Sequence, residues 1–362
     1  MSILKIPEIA GLDSRKSILR IPPEVDVPLT ERVRKVIDTA EFRRLARIQQ
    51  LGFVSLVYPG AEHSRFEHSL GVFRLAALLV KQMAHDTDFA RLVPPEACEL
   101  FLLTALLHDV GHYPYCHLIE DLHLGTPSHE AAAARFILNS ESELARIIRE
   151  DWGVSPADVL YLLAGKKPTE KTLLSESPSV YKLLSSMLSG PVDIDKMDYL
   201  QRDSLHAGVP YGRNYDQDRL LASLCLNENR DGLAISAKGK TAAELLVFAR
   251  YVMFSEVYWH HTVRSATAMF QHIYFTLHRL VGPETLFHLQ NFSDAQAAEF
   301  FRERLAENSV SELCESLFGP RRMLYKQVAE FSAFEFPEIY HLLARKPFAW
   351  LTEFSEKLSE IL

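Results

Sequence analysis

Cysteine is sparse in this 362-residue chain, and the four present, Cys98, Cys116, Cys225 and Cys314, stand apart with no C-x-x-C pair. That spacing excludes the usual zinc-ribbon pattern and argues against a disulfide framework, as expected of thiols kept reduced in a cytoplasm. Long apolar runs are missing too. Residues 75–80 and 101–107, the latter interrupted by Thr104, fall far short of the ~20 residues that cross a bilayer, so no membrane partner is expected. Lys5 and Glu8 stand where a secretory signal needs its continuous apolar stretch, and a cytoplasmic location is the expectation. Nor is there a basic excess. With 39 Lys and Arg against 47 Asp and Glu, the net charge is −8. Such a surface repels phosphate backbones, which disfavours single-stranded nucleic acid as a partner and confines anion recognition to a local pocket. What the chain does have is 48% apolar and 24% charged residues, a globular composition able to bury a large core.

Apolar spacing predicts helices almost throughout. Val33, Val36 and Ile37, then Phe42, Leu45 and Ile48, recur at three- and four-residue intervals, giving a helix or helix pair over 30–50. Ser64 and Glu67 match a capping box opening a helix whose stripe runs through His68, Val72, Leu75 and Leu79. The segment 96–109 is apolar on nearly every face, the mark of a helix in mid-domain, with Gly111 as its expected stop. Further helices are predicted near 129–150, 156–164, 178–189 and 193–206, with a long pair through 240–281 and helical patches at 297–305 and 338–344. Residues 165–179 read as a surface loop. Leu224-Cys225-Leu226 and Leu233-Ala234-Ile235 flank an Asp-Gly turn and predict a β-hairpin. The fold class is therefore mainly α, a multi-helix bundle over 1–281 with one small hairpin, followed by a helical C-terminal extension over 282–362.

Eight of the fifteen histidines, His63, His68, His85, His108, His112, His117, His123 and His129, fall between positions 63 and 129. Singly, each is ordinary at a helix end. His108 and Asp109 differ because they end the most apolar helix, where an unpartnered carboxylate costs several kcal/mol or neutralises itself. Two arrangements offset that cost: a buried His–Asp hydrogen bond, or a divalent cation that favours the ionised Asp and the neutral imidazole together. On another helix Asp195, Tyr199, Arg202 and His206 form one polar stripe. The bland alternative there is a solvated face carrying an Asp198–Arg202 pair.

These residues resemble the HD-domain phosphohydrolases, defined by H…HD…D, here His68, His108-Asp109 and Asp195. The resemblance is closer to the deoxynucleoside triphosphate triphosphohydrolase branch, which holds the dGTPase-type and SAM-and-HD-domain enzymes. It rests on Ile37-Asp38-Thr39, Gln49-Gln50-Leu51-Gly52, Tyr58-Pro59-Gly60-Ala61, the 65–72 segment, His108 to His112, Ser128-His129-Glu130 and the 193–199 segment, and spans about 14–265.

The resemblance implies an HD-domain helical fold and a divalent ion (Mn, Mg, Fe, Ni, Co or Zn) on His68, His108, Asp109 and Asp195, with a second Mg carried in by substrate. It implies hydroxide attack on the α-phosphate of a dNTP, releasing deoxynucleoside and inorganic triphosphate. His112, His117 and His129 match positions near the scissile bond, and Glu120, one turn after His117, is placed to orient that ring; either His117 or His129 is the general acid. Arg65, Lys196 and Tyr199, with Arg250 and Tyr258, match phosphate-contacting positions. Gln50 and Leu51 match those that read the sugar, and Asp203 is a further sugar contact. A homo-oligomer is also implied. The nucleotide-activated mode is not, because Arg43 and Ala46 stand where activator-regulated enzymes have Gln and Arg, and no SAM domain is present. The competing readings are another phosphohydrolase of the same scaffold, a nuclease, phosphodiesterase or nucleotidase, and a non-catalytic nucleotide sensor.

Overall fold

Helices carry nearly all of the regular structure in the computed structural model, which describes residues 2–14, 16–23, 25–283 and 288–361. The chain divides into two compact units, Met1–His112 with Ser128–Tyr258, and Tyr113–Pro127 with Trp259–Leu362.

The first unit is built around three helices: α1 (Arg65–Met83), α2 (Pro95–Leu107) and α3 (Ile194–His206). Helix α1 packs against both of the others. Ser64 caps α1 by accepting from the Glu67 amide, as the expected capping box requires. The reciprocal arm is absent, because the Glu67 carboxylate turns to Arg202 and His206 instead. Helix α2 is buried on every side from Leu100 to Leu107. Gly111 does not stop it: the helix ends at Leu107, with His108 still right-handed. The glycine is needed for packing, since a Cβ there would collide with the His129 carbonyl and the Ala133 backbone. Asp193 caps α3 through the Lys196 amide at 2.8 Å, which sets Asp195 in the first turn, where the helix dipole favours an ionised carboxylate.

Elsewhere in this unit the periodicity is followed with breaks at capping residues. The 30–50 region splits at Thr39, the N-cap of Ala40–Arg43, after the helix Glu31–Asp38. The expected helix near 129–150 is three short ones, His129–Ala132, Ala134–Ile137 and Glu143–Glu150, because Ser142 caps a new start. The 165–179 loop contains one turn of helix, Leu173–Glu176, closed by a Thr172/Ser175 capping box. The hairpin pairs β3 (Leu224–Leu226) with β4 (Leu233–Ile235) as the turn signal requires. A second hairpin, β1 (Ile18–Ile21) with β2 (Val25–Pro28), was not foreseen, its strands being four residues each and joined through Pro22-Pro23. Helix α4 (Lys240–Met253) ends in a π turn over Phe254–Tyr258.

The second unit is organised by α5 (His261–Val281). Phe270 and Tyr274 on α5, Phe301 on the helix Asp294–Arg304 and Phe318 at the end of Ser311–Phe318 form an aromatic cluster with ring centroids 5.6–6.4 Å apart. The short helix Cys116–Glu120 is tied to α5 by a Gln271 amide donating to the Leu118 carbonyl at 3.1 Å. Two final helices, Pro337–Leu343 and Phe348–Ile361, bury none of their described side chains. No helix among the described residues is long and apolar enough to cross a membrane.

Candidate metal centre

Three segments of the first unit bring His68, His108, Asp109 and Asp195 together. His68 sits on the second turn of α1, His108 and Asp109 where α2 ends, and Asp195 on the first turn of α3. The His68 Nε2 lies 3.1 Å from His108 Nε2 and 3.0 Å from Asp195 Oδ1. His108 Nε2 lies 3.4 Å from Asp109 Oδ1 and 3.8 Å from Asp195 Oδ1. Neighbouring ligands of one first-row ion stand about 3–3.5 Å apart, since each bond is about 2.0–2.2 Å long. The spacing fits.

The tautomers give an independent test of fit. His68 Nδ1 faces Asp198 Oδ2 at 2.9 Å and His108 Nδ1 faces the Ala105 carbonyl at 2.9 Å. Both partners are acceptors, so both Nδ1 atoms donate. The two Nε2 atoms then point lone pairs at each other across 3.1 Å, a repulsion that a cation removes, either a proton on one ring or a metal ion between them. A metal-bound imidazole with its far nitrogen on a carboxylate or a carbonyl is the usual supporting arrangement.

The electrostatics agree. Burial disfavours a charged His68, but its hydrogen bonds to Asp195 and Asp198 win and push its pKa up to about 10. The field that would hold a proton there would equally hold a metal cation. Burial likewise opposes ionisation of Asp109, yet His112, His108 and Arg65 hold it well below the usual carboxylate range. Asp195 is lowered against the same penalty by its hydrogen bond to His68. His68 and Asp109 are buried, whereas the Asp195 side chain is 32% exposed, so the cluster is open to solvent on that side.

The other sequence-derived candidates fall into distinct settings. Arg65 is buried, not a surface residue, and donates to Asp109 Oδ2 at 2.9 Å. His112 is buried with Nδ1 3.1 Å from Asp109 Oδ1, and burial together with the Arg65 charge lowers its pKa well below the ordinary value. The His129 ring lies 3.8 Å from that of His112 and its Nε2 is 3.2 Å from Glu130 Oε1. Lys196 Nζ donates to Asp193 at 2.7 Å. Tyr199 is half-buried, and desolvation pushes its phenol upward. Tyr258 donates to Asp203 Oδ2 at 2.6 Å, and Asp203 Oδ1 meets His63 Nε2 at 2.9 Å. Arg250 is exposed, its guanidinium over Phe254. Gln50 is backbone-paired to His63, with a buried Oε1 that has no hydrogen-bond partner, and Leu51 beside it is half-buried. His117 and Glu120 belong to the second unit, where His117 Nδ1 lies 3.3 Å from Glu120 Oε2.

What sequence reasoning missed is the depth of the α3 polar face. Asp198, Arg202 and Asp203 are buried, and Arg202 clamps Asp198 through Nε at 2.9 Å and Nη2 at 2.8 Å. The solvated-face alternative fails because α1 covers Asp198 and Arg202, and His63 and Tyr258 cover Asp203. The signal that could have exposed this was Glu67 beside His68: two helices carrying complementary charges at matching depth.

Residues 65–203 match the HD domain family and residues 215–347 the HD associated region. An uncharacterized protein of Methanocaldococcus jannaschii is 32% identical over 326 residues, covering 88% of this chain and 60% of that protein. The deoxynucleoside triphosphate triphosphohydrolase SAMHD1 of Homo sapiens is 31% identical over 232 residues, covering 58% of this chain and 36% of that enzyme. The chain thus spans 60% of the length of the first relative and 36% of the second, less than two thirds of either. A crystal structure of a hypothetical protein from Aquifex aeolicus superimposes with a TM-score of 0.71 at 28% identity, covering 92% of this chain and 83% of that one.

Proposed function

The chain belongs to the HD-domain phosphohydrolase superfamily, and from that premise we propose that it hydrolyses deoxynucleoside triphosphates at the α-phosphate, yielding deoxynucleoside and inorganic triphosphate. The observation that carries the reading is the convergence of two imidazoles and two carboxylates from three separate segments, with His68, His108 and Asp109 each held from behind by a hydrogen bond or ion pair. The similarity to a triphosphohydrolase supports a deoxynucleoside triphosphate as the substrate. His68, His108, Asp109 and Asp195 would hold a divalent ion, which when bound would supply Lewis acidity toward a phosphoryl oxygen and lower the pKa of water.

The chain's own residues do the rest. Arg65 keeps Asp109 oriented and ionised. Lys196, Tyr199 and Arg250 meet the negative charge of the triphosphate, a role that preorganised cations and hydroxyls perform best away from bulk water. The partnerless Gln50 Oε1 accepts from a sugar hydroxyl, Leu51 crowds the position of a 2′-hydroxyl, and Asp203 with Tyr258 closes the sugar side. His129, next to His112, delivers a proton to the departing 5′-oxygen; His117, with Glu120 in place of the Asp more usual in the family, is the alternative donor. The protein acts as a homo-oligomer.

The test is product analysis with Mn or Mg across dNTPs, rNTPs and single-stranded DNA. Deoxynucleoside plus triphosphate is expected from dNTPs. Orthophosphate or pyrophosphate as the sole inorganic product would overturn the α-attack assignment, and cleavage of DNA in place of dNTPs would favour the nuclease reading.

A further inference from the structure

Behind His68 lies an ordered chain of charges that the reaction itself does not use. Asp198 accepts from His68 Nδ1 with one oxygen, and both of its oxygens take Arg202. The remaining guanidinium nitrogen, Nη1, donates to Glu67 Oε1 at 2.6 Å and to the Pro22 carbonyl at 3.0 Å. Glu67 Oε1 also meets His206 Nε2 at 2.8 Å. The Asp198 and Arg202 side chains are almost fully buried, 7% and 4% exposed. Facing them on α1 is Gly71, where a Cβ would collide with Asp198 Oδ1 and Arg202 Nη2. A glycine in mid-helix is otherwise unfavourable, so its place here is explained by the pair it admits.

We propose that Asp198, locked by Arg202 in the notch left by Gly71, is the positioning residue that fixes the ring orientation and tautomer of His68 for metal binding. The inference rests on the metal-centre reading given above. A single hydrogen bond would let the carboxylate swing about its χ2 torsion. The two-pronged guanidinium removes that freedom, and Glu67 and Pro22 fix the guanidinium in turn. With Nδ1 committed as donor, the neutral ring has its Nε2 lone pair facing Asp195 and His108, where a metal ion takes the place of a proton.

The experiment measures Co²⁺ affinity and visible absorption of the full-length protein, whose d–d bands report coordination, alongside circular dichroism. Wild-type binding of one Co²⁺ with four-donor bands tests the metal-centre reading; its absence would overturn that reading and this inference with it. Given wild-type binding, Asp198→Asn and Gly71→Ala are expected to stay helical, bind Co²⁺ about 10–100-fold more weakly and shift the bands, the range typical of lost supporting partners. Asp198→Glu, which keeps the charge, is expected to recover part of the affinity. Wild-type affinity and spectrum in both Asp198→Asn and Gly71→Ala would overturn the inference while leaving the metal centre standing. Should those variants fail to fold, Arg202→Lys, which keeps the charge but loses the two-pronged grip, carries the same two outcomes.

Discussion

Helices α1 and α5 are close in length, 19 and 21 residues, and they bury different chemistry. Helix α1 takes Arg65, His68, Ser69 and Gly71 into the interior along with Leu70, Val72, Phe73, Leu75, Leu79 and Val80. Helix α5 buries Phe270, Ile273, Tyr274, Phe275 and Leu277, with Thr267 its one buried aliphatic hydroxyl. The α5 interior is explained by apolar burial and ring packing. The α1 interior is not, because buried ion pairs often contribute less than well-packed apolar residues of the same volume would. A region that carries Arg65–Asp109 and Arg202–Asp198 pairs at depth is organised for something other than stability. The contrast singles out the interior of the first unit as the place where buried charge asks for an explanation beyond packing.

That contrast can be broken from either side. Asp195→Ala should remove bound metal and hydrolysis together, with affinity falling by more than the roughly 100-fold that loss of a supporting partner produces; metal content by elemental analysis, read beside product formation, checks it. Retained metal would mean that Asp195 is not a ligand. His129→Ala should lower turnover by about 10²–10⁴-fold while leaving metal content intact. Loss of metal there would place His129 among the ligands, and full activity would pass the proton-donor role to His117, tested by the corresponding His117→Ala. In the second unit, Phe301→Ala should destabilise by about 3–5 kcal/mol, read as a lower melting temperature, because it opens a cavity among Phe270, Tyr274 and Phe318. Metal bound per folded molecule should not change, and if it does the division of labour is wrong. The smallest effect is expected from Ser64→Ala, about 1 kcal/mol for the lost α1 cap, by denaturant unfolding.

Most of the helical architecture was legible because α2 is an apolar run long enough for a buried helix and α5 carries periodic apolar residues over many turns, and the β3–β4 hairpin because Asp-Gly marks its turn. Short elements were not. The β1–β2 hairpin and the broken 129–150 region depend on single capping and proline positions that periodicity averages away. At the site, His68 drew attention as a polar residue on a core stripe, and Asp195 by its place on a polar one. Asp198 and Arg202 looked like a surface i, i+4 pair because that spacing is the same whether solvent or another helix lies opposite. Only the position of α1, and the glycine at its seventh residue, makes the pair interior.

The most direct trial of the account is anomalous diffraction from crystals of the protein grown with Mn²⁺. The account expects one peak bonded by His68, His108, Asp109 and Asp195, with Asp198 still on the far nitrogen of His68. Those four side chains diverging around featureless density would contradict it.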